Sequence, residues 1–485
     1  AEHAQAQIVS GSATGAAAGD KVTVTIGGQT YTTVLDAAGN WSVGVPANVI
    51  SGLSDGTVTV TASVTDAAGN TGTGSHNVTV DTGLPSVAFS AISGDNILNA
   101  VEKGQDLSVN GTSANLTEGT VVSVTLNGKN YTATTAADGS WSLTVPAADL
   151  AALGEANYTL SAVATNAVGN SVSNTANLLV DTALPTVTLN TIAGDNVINA
   201  AEVAAGQTIS GKVANAEAGN TVTVSIGGNT YTTTVQSDLT WSVNVPSDVL
   251  TALGNGDLTA LASVTNGHGN TGTGEREITI DANLPGLRVD TVAGDDVINS
   301  IEHGQNLILT GSSDGLAAGT TLTVTVNGKT YAASVLADGS WIAAIPAADV
   351  GALTAGTVTV TVAGQSAAGN PVTISHDVTV DLTAVAISID AIATDDVINA
   401  AEKGTDLVLS GSTSNVEENQ SVTITFAGKT YTAKVDADGN WTATVPSADL
   451  AGLKDGDASI QVNVTNVNGN SASAGREYSV DATAP

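Results

Sequence analysis

Tryptophan recurs at Trp41, Trp141, Trp241, Trp341 and Trp441, one every 100 residues with no slip in register. Tyr31, Tyr131, Tyr231, Tyr331 and Tyr431 keep the same step, and so do Asp81, Asp181, Asp281, Asp381 and Asp481. A fixed period marks a tandem array, and a unit of about 100 residues is long enough to bury a core of its own. The 485 residues divide into units 1–85, 86–185, 186–285, 286–385 and 386–485. A catalytic site is normally built once, whereas a feature made five times serves length, stiffness or multivalent contact. Ala1-Glu2-His3 aligns with Val101-Glu102-Lys103, so the first unit is expected to lack its first strand here and the chain reads as a fragment of a longer protein.

Charge narrows the partners. There are 46 acidic and 12 basic residues, for a net charge of −34. Nucleic acid is excluded as a natural partner because its phosphates need Lys and Arg to neutralise them. Anionic lipid is disfavoured for the same reason, and no apolar run is long enough for a membrane span. A chain this acidic could be disordered, but 42% hydrophobic residues in regular alternation argue for a folded one. There is no cysteine, so neither a disulfide nor a thiolate metal site can staple the units.

One unit, read from Pro85 to Pro185, shows the fold. Ser86–Ile92 alternates as a strand and is broken by Gly-Asp-Asn-Ile-Leu-Asn at 94–99. Further strands are expected over 106–111, 121–126, 131–135, 141–145, 158–165 and 174–180, with Asn127-Gly128 and Asp138-Gly139 as tight turns. Pro146–Leu153 suits one short helical turn whose Leu150 and Leu153 plug the end of the barrel. Seven short strands with turns every 8–12 residues predict an all-β, immunoglobulin-like Greek-key β-sandwich without the antibody cysteine bridge. Trp141 heads an alternating strand and is expected in the core; an outward, sugar-binding role is the weaker reading. Tyr131 and its equivalents belong to the core or its rim.

The connections between units are short: VDTGLP, VDTALP, IDANLP, VDLTAV and VDATAP close the five units. Four of the five end in proline, which fixes φ. Units so connected form an elongated rod, on the order of 200 Å for five sandwiches built from strands rising about 3.3 Å per residue. Two local departures, Leu239 in place of a turn glycine and Val385 in place of the linker proline, predict a weaker turn and a looser junction.

Acidic residues concentrate at one corner, reading GDNILNAVE, GDNVINAAE, GDDVINSIE and TDDVINAAE at 94–102 and one period on. The first strand runs away from the preceding linker, so this corner lies at the far end of its unit, where the last strand delivers the linker Asp. The sets brought together are Asp95, Asn96, Glu102 and Asp181; Asp195, Asn196, Glu202 and Asp281; Asp295, Asp296, Glu302 and Asp381; and Asp395, Asp396, Glu402 and Asp481. The first unit retains Glu2 and Asp81. Two carboxylates 4 Å apart repel by about 4 kcal/mol at an effective dielectric near 20. No cation recurs to offset this, since the next position reads His3, Lys103, Val203, His303 and Lys403. A hard dication with oxygen ligands fits, Ca²⁺ better than Mg²⁺ because the ligands sit on flexible corners. The competing reading is a solvated Asx turn with Glu on the surface.

A second acidic group occupies the opposite end: Asp36, Asp138, Asp238, Asp338 and Asp438 in one turn, with Asp66, Asn166, Asn266 and Asn466 ahead of Gly-Asn pairs in the last hairpin. Turn chemistry explains these residues, but this end faces the previous unit's corner and could complete its coordination. The five histidines lie near no nucleophile, and His3, His76, His303 and His376 read as surface drift. No HExxH, GxSxG, P-loop or GxGxxG pattern occurs, and two-carboxylate hydrolysis would need a cleft that sandwich ends do not supply. No enzyme is expected.

The set DGNW (438–441), VPSADLAGL (445–453), VTDAAGNT (64–71) and VDTxxP at 100-residue spacing resembles the bacterial Ig-like repeats of giant type-I-secreted adhesins and biofilm-associated proteins. The resemblance extends over the whole chain. It implies an extracellular stalk on the bacterial surface in which Ca²⁺ at the domain junctions stiffens the rod, with the ligand role falling on Asp95, Asn96, Glu102, Asp181 and their equivalents. Neighbouring repeats are then the partners, and host or biofilm ligands belong to other parts of the parent protein. Two other functions remain open: repeats that themselves bind glycan, ice or a receptor, and a self-assembling filament. Exposed threonines along the strands are explained by β-propensity without a ligand.

Overall fold

The computed structural model describes residues 2–483. They form two compact units, one of residues up to 190 with 210–243 and 261–276, and one of residues 191–209 and 244–260 with those from 277 on. The first holds repeats one and two, the second repeats four and five, and the third repeat contributes to both.

Repeat two, within the first unit, carries the general plan. Its elements are β1 (Ser86–Phe89), β2 (Ile97–Leu98), β3 (Leu107–Ala114), β4 (Val121–Leu126), β5 (Lys129–Thr134), β6 (Ser140–Val145), α1 (Ala147–Leu150), β7 (Ala156–Thr165) and β8 (Ser171–Val180). One sheet runs β5-β4-β7-β8-β2 and the other β6-β3-β1. Alternation decides the faces: Val122, Val124 and Leu126 point inward from β4 and Leu160, Ala162 and Ala164 from β7, meeting Val87, Val109, Trp141 and Leu143 of the other sheet. Asn127 and Gly128 both take positive φ, +48° and +77°, as a two-residue hairpin of this hand requires.

The expected sandwich is present, with one more strand than the alternation suggested. Ile97 and Leu98 pair in parallel with Leu179 and Val180 of β8. Two residues cannot announce themselves by periodicity, which is why the segment read as a simple break.

Trp141 is 3% exposed, and Trp241, Trp341 and Trp441 are each 1% exposed, so these are core residues. The Trp141 ring meets Phe89 edge-on at 5.4 Å between centroids, and its Nε1 donates to Thr112 O at 3.2 Å. The ring lies over Gly111, where an added Cβ would stand 2.1 Å from both the indole and Ala88 O. Tyr131 is half-buried and donates from its hydroxyl to Asp149 Oδ2 at 2.8 Å, and Lys129 pairs with the same carboxylate. Burial, then the Asp149 contact, push the phenol up to about 12.

In repeat one, Gln7–Ser12 pairs with Asn40–Val45, beside a four-stranded sheet that includes Gly56–Thr65 and Thr71–Val80. Counterparts of β1 and β2 are not among the described residues, and Trp41 is accordingly only half-buried. In the second unit, repeat four joins its strands into a single eight-stranded sheet through Ser334–Ile342 and Val335–Trp341 pairing. Repeat five shortens its first strand to Ala386–Ile387. There Thr394 has φ +86°, where Gly94, Gly194 and Gly294 hold the same left-handed conformation without a side-chain clash.

Leu239 keeps the expected turn at the cost of backbone strain. Its φ is +63°, against +81° at Gly139 and +82° at Gly339, and its N–H still bonds Gln236 O at 3.0 Å. A left-handed non-glycine residue costs roughly 1–2 kcal/mol, partly offset by the extra unfolded-state freedom of glycine. Leu239→Gly should therefore stabilise the third repeat by about 1 kcal/mol, read by hydrogen exchange of its core amides. Unchanged or faster exchange would show that the turn is unstrained.

Candidate metal corner and inter-repeat joint

The residues of the corner pattern fall into two groups. Asp95 and Asn96 close the turn ahead of β2: Asp95 Oδ1 accepts from Ile97 N at 2.9 Å, and Asn96 Oδ1 from Ile92 N at 2.9 Å with φ +67°. Asp195 and Asn196, Asp295 and Asp296, and Asp395 and Asp396 make the same pair of bonds. These side chains satisfy local backbone donors, as Asx turns do.

Glu102 belongs to a second group past β2. Asn99 Oδ1 accepts from Val101 N at 3.0 Å and Glu102 N at 3.1 Å, while Glu102 Oε2 accepts from Asn99 N at 3.0 Å. This reciprocal arrangement is a capping box. It recurs at Asn199 with Glu202, Asn299 with Glu302 and Asn399 with Glu402. Asn99 and its equivalents escaped the charge-based reading, although Asn-x-x-Glu was a legible signal.

The parallel ladder carries the linker Asp to this second group. Asp181 N donates to Leu98 O at 3.2 Å, and in repeats three and five Asn199 stands opposite Asp281 and Asn399 opposite Asp481. The linkers are then tied back to their own repeats. Thr82 N donates to Asp55 Oδ1 at 2.8 Å, Thr182 N to Glu155 at 3.1 Å, Ala282 N to Asn255 Oδ1 at 2.9 Å and Ala482 N to Asp455 Oδ1 at 2.9 Å. Asp81, Asp181, Asp281 and Asp381 also fold one carboxylate oxygen onto the chain two residues on, as Asp81 does to Gly83 N at 2.9 Å.

The following repeat supplies the rest of each joint, through its last hairpin turn. Within the first unit, Asp81 Oδ2 accepts from Asn166 Nδ2 at 3.2 Å, and His268 Nδ1 meets Asp181 Oδ2. Within the second, Asp381 Oδ2 accepts from Asn468 Nδ2 at 2.6 Å. Asn170, Asn270, Asn370 and Asn470 donate to the backbone carbonyls of Asp81, Asp181, Asp281 and Asp381 at 3.0, 2.8, 2.8 and 3.1 Å. The two ends face each other as the sequence suggested.

The donor set at a joint suits a hard cation in kind: carboxylate, amide and backbone oxygens with no sulfur. Among the described residues, no group of three or more His, Asp or Glu side chains is placed to hold a metal ion. The expected sets, such as Asp95, Asn96, Glu102 and Asp181, are therefore not gathered into an acidic cluster, and amide or main-chain oxygens would have to supply much of any ion's shell.

Several residues read as drift have partners. His303 Nε2 donates to Leu353 O at 2.9 Å and His3 Nε2 to Leu53 O at 3.2 Å, so the position after the corner Glu caps the end of the short helix. Lys403 makes the same contact to Leu453 O. His376 Nε2 bonds Asp296 Oδ1 at 2.7 Å, and Arg476 grips both oxygens of Asp396 at 2.6 Å. Asp296 and Asp396 are thereby bonded to the His376 imidazole and the Arg476 guanidinium of their own repeats. The Arg476 guanidinium, then the Ile392 N–H, hold the Asp396 carboxyl down at about 2. A depressed carboxyl contributes stability above its unfolded value near 3.8, lost as pH falls through about 2. In a carboxyl NMR titration Asp396 should titrate near 2 and move up toward 3.8 in Arg476→Gln. An unmoved titration in the variant would remove Arg476 as the cause.

Comparison with known proteins agrees with this anatomy. The profile of the bacterial Ig-like domain family matches residues 9–82 and 90–182. No curated protein matches. Among solved structures, the chain is similar to a Ca²⁺-stabilised adhesin with which an Antarctic bacterium reaches out and binds ice: 33% identity, covering 83% of this chain and 100% of that one, with a TM-score of 0.36. A 1.5-MDa bacterial ice-binding adhesin is 31% identical over 62% of this chain and 98% of its own, with a TM-score of 0.35. A tetra-tandem repeat from the extending region of a large adhesion protein is 28% identical over 83% of this chain and 100% of its own, with a TM-score of 0.32. On the family profile, residues 9–82 and 90–182 belong to the bacterial Ig-like domain family.

Proposed function

We propose that this chain is a calcium-rigidified extender of a large bacterial surface adhesin, working outside the cell in adhesion or biofilm formation. Its five Ig-like domains correspond to 1–85, 86–185, 186–285, 286–385 and 386–485. The observation that carries this reading is the repeated joint: a carboxylate-bearing linker tied to its own repeat and touched by the next repeat's turn. Adhesin repeats of this family are structural modules, not enzymes.

Glu102 and Asp181 would hold the ion at the joint after repeat two, with Glu202 and Asp281, and Glu302 and Asp381, in the same roles further on. Asp81 serves the first joint, and Glu402 with Asp481 the end of repeat five. Calcium there would supply positive charge between carboxylates that otherwise repel. The protein's own part is to fix those carboxylates: Asn99 holds Glu102 through the capping box, and the parallel ladder holds Asp181. Occupancy at 100 times Kd adds about 2.7 kcal/mol per site. Asp95, Asp195, Asp295 and Asp395 sit in the neighbouring turn and can extend the acidic surface toward the ion.

Removing calcium should restore repulsion at every joint and let the chain bend. Small-angle scattering should show a larger maximum dimension in millimolar Ca²⁺ than in EDTA, with at least one bound ion per joint by elemental analysis. Identical profiles, or no bound calcium, would overturn the stiffening role.

A further inference from the structure

We infer that the Gly-Asn pair of each last hairpin turn is a docking element that reads the backbone of the preceding repeat, and that it fastens the joint without metal. Asn270 is 1% exposed, Asn370 0% and Asn470 1%. A side-chain amide this deeply buried must have both its donor and its acceptor paired. Asn270 donates to Asp181 O at 2.8 Å and accepts from Ala100 N at 2.8 Å. Asn370 bridges Asp281 O at 2.8 Å and Ala200 N at 2.7 Å, and Asn470 bridges Asp381 O at 3.1 Å and Ser300 N at 2.8 Å. Each amide therefore occupies the place of a strand residue, closing one N–H and one C=O at the far end of its neighbour.

The glycine is chosen twice over. Gly269, Gly369 and Gly469 have φ of +81°, +83° and +82°. A Cβ on them would stand 2.9, 3.4 and 2.6 Å from the amide nitrogens of Asn99, Asn199 and Asn299. The capping asparagine of one repeat is thus the surface on which the next repeat's glycine rests. Repeat one provides the contrast. Asn70 occupies the same turn, but it is exposed and donates to its own loop at Asp66 Oδ2, 2.9 Å away, and Gly69 has open space around its missing Cβ. The turn is built whether or not it is docked, and docking redirects the amide.

Every clamp contact reaches main-chain atoms or the capping asparagine, so the partner is specified as the capped end of another repeat of this kind, whatever its other side chains. This fits a chain whose joints differ elsewhere: His268 faces Asp181 and Asn468 faces Asp381, while Ala368 occupies that position at the third joint. Two hydrogen bonds at one point make a pivot, which holds contact while the angle about it stays free. The clamp is therefore independent of the calcium reading, which concerns the angle.

Hydrogen exchange of the full chain in excess EDTA tests this. In a chain of residues 1–485, the Ala100, Ala200 and Ser300 amides should exchange about tenfold or more slower, after correction for intrinsic rates, than that of Ala400, which sits in the same capped corner without a docking amide. The triple variant Asn270→Ala, Asn370→Ala, Asn470→Ala should bring all three to the Ala400 rate while core amides such as Val122 and Val324 stay protected. Exchange at Ala100, Ala200 and Ser300 as fast as at Ala400 in the unaltered chain would overturn the clamp, and so would protection that survives in a folded triple variant. Neither result depends on whether scattering responds to calcium.

Discussion

The parallel pairing of a two-residue strand with the end of the last strand is the constraint from which the joint follows. Ile97 and Leu98 lie against Leu179 and Val180, with Leu98 fully buried, so the register cannot slip without turning that side chain out to solvent. Fixing this register fixes three things at once: where the chain leaves the repeat, where Asp181 stands, and where the capped corner of Asn99 and Glu102 presents its free N–H groups. The linker and the docking surface thus form a single feature of each repeat. A repeat that lost this pairing would keep most of its sandwich and lose its ability to hold a neighbour.

Within the joint, the labour is divided by type of group. Carboxylates carry charge and face solvent in part, so they are the groups at the joint suited to an ion. Buried amides are neutral, and their bonds are short and local, so they are insensitive to salt and chelator. A polar group at 0–1% exposure that lacked its partners would cost roughly 1–3 kcal/mol, which penalises undocked states once a neighbour is present. The repeats also act as an internal comparison. Where the turn has Asp296 or Asp396, the last strand offers His376 or Arg476 to pair with it. Where the turn has Asn196, Arg276 instead bonds Leu189 O, and beside Asn96 the strand has Ala176. An added carboxylate in the turn is matched by a hydrogen-bonding ring or guanidinium nitrogen opposite, as expected where a partly buried carboxylate needs compensation.

The sandwich itself was legible because strict alternation and paired turn residues are local signals. The β4–β5 hairpin at Asn127-Gly128 and the buried Trp141 follow directly from them. Strand ends were less legible: β8 begins at Ser171, three residues before the apolar alternation strengthens at Asn174. At the corner, the pattern of acids led to one site where the structure has two. Asp95 and Asn96 serve their own turn, and Glu102 serves the cap, because side-chain oxygens next to free backbone N–H groups bond those first. The docking amides at Asn270, Asn370 and Asn470 were visible only as turn residues. Their burial depends on a partner 170 residues away in sequence, and no local pattern records that.

The central claim is that neighbouring repeats meet in one defined arrangement set by groups from both sides of the joint. The chain has no cysteine, so spin labels at Thr357→Cys and Asp457→Cys, both exposed in adjacent repeats, would report on that joint alone. Pulsed dipolar spectroscopy in millimolar calcium should give a single narrow distance distribution. A broad or multimodal distribution under the same conditions would contradict it.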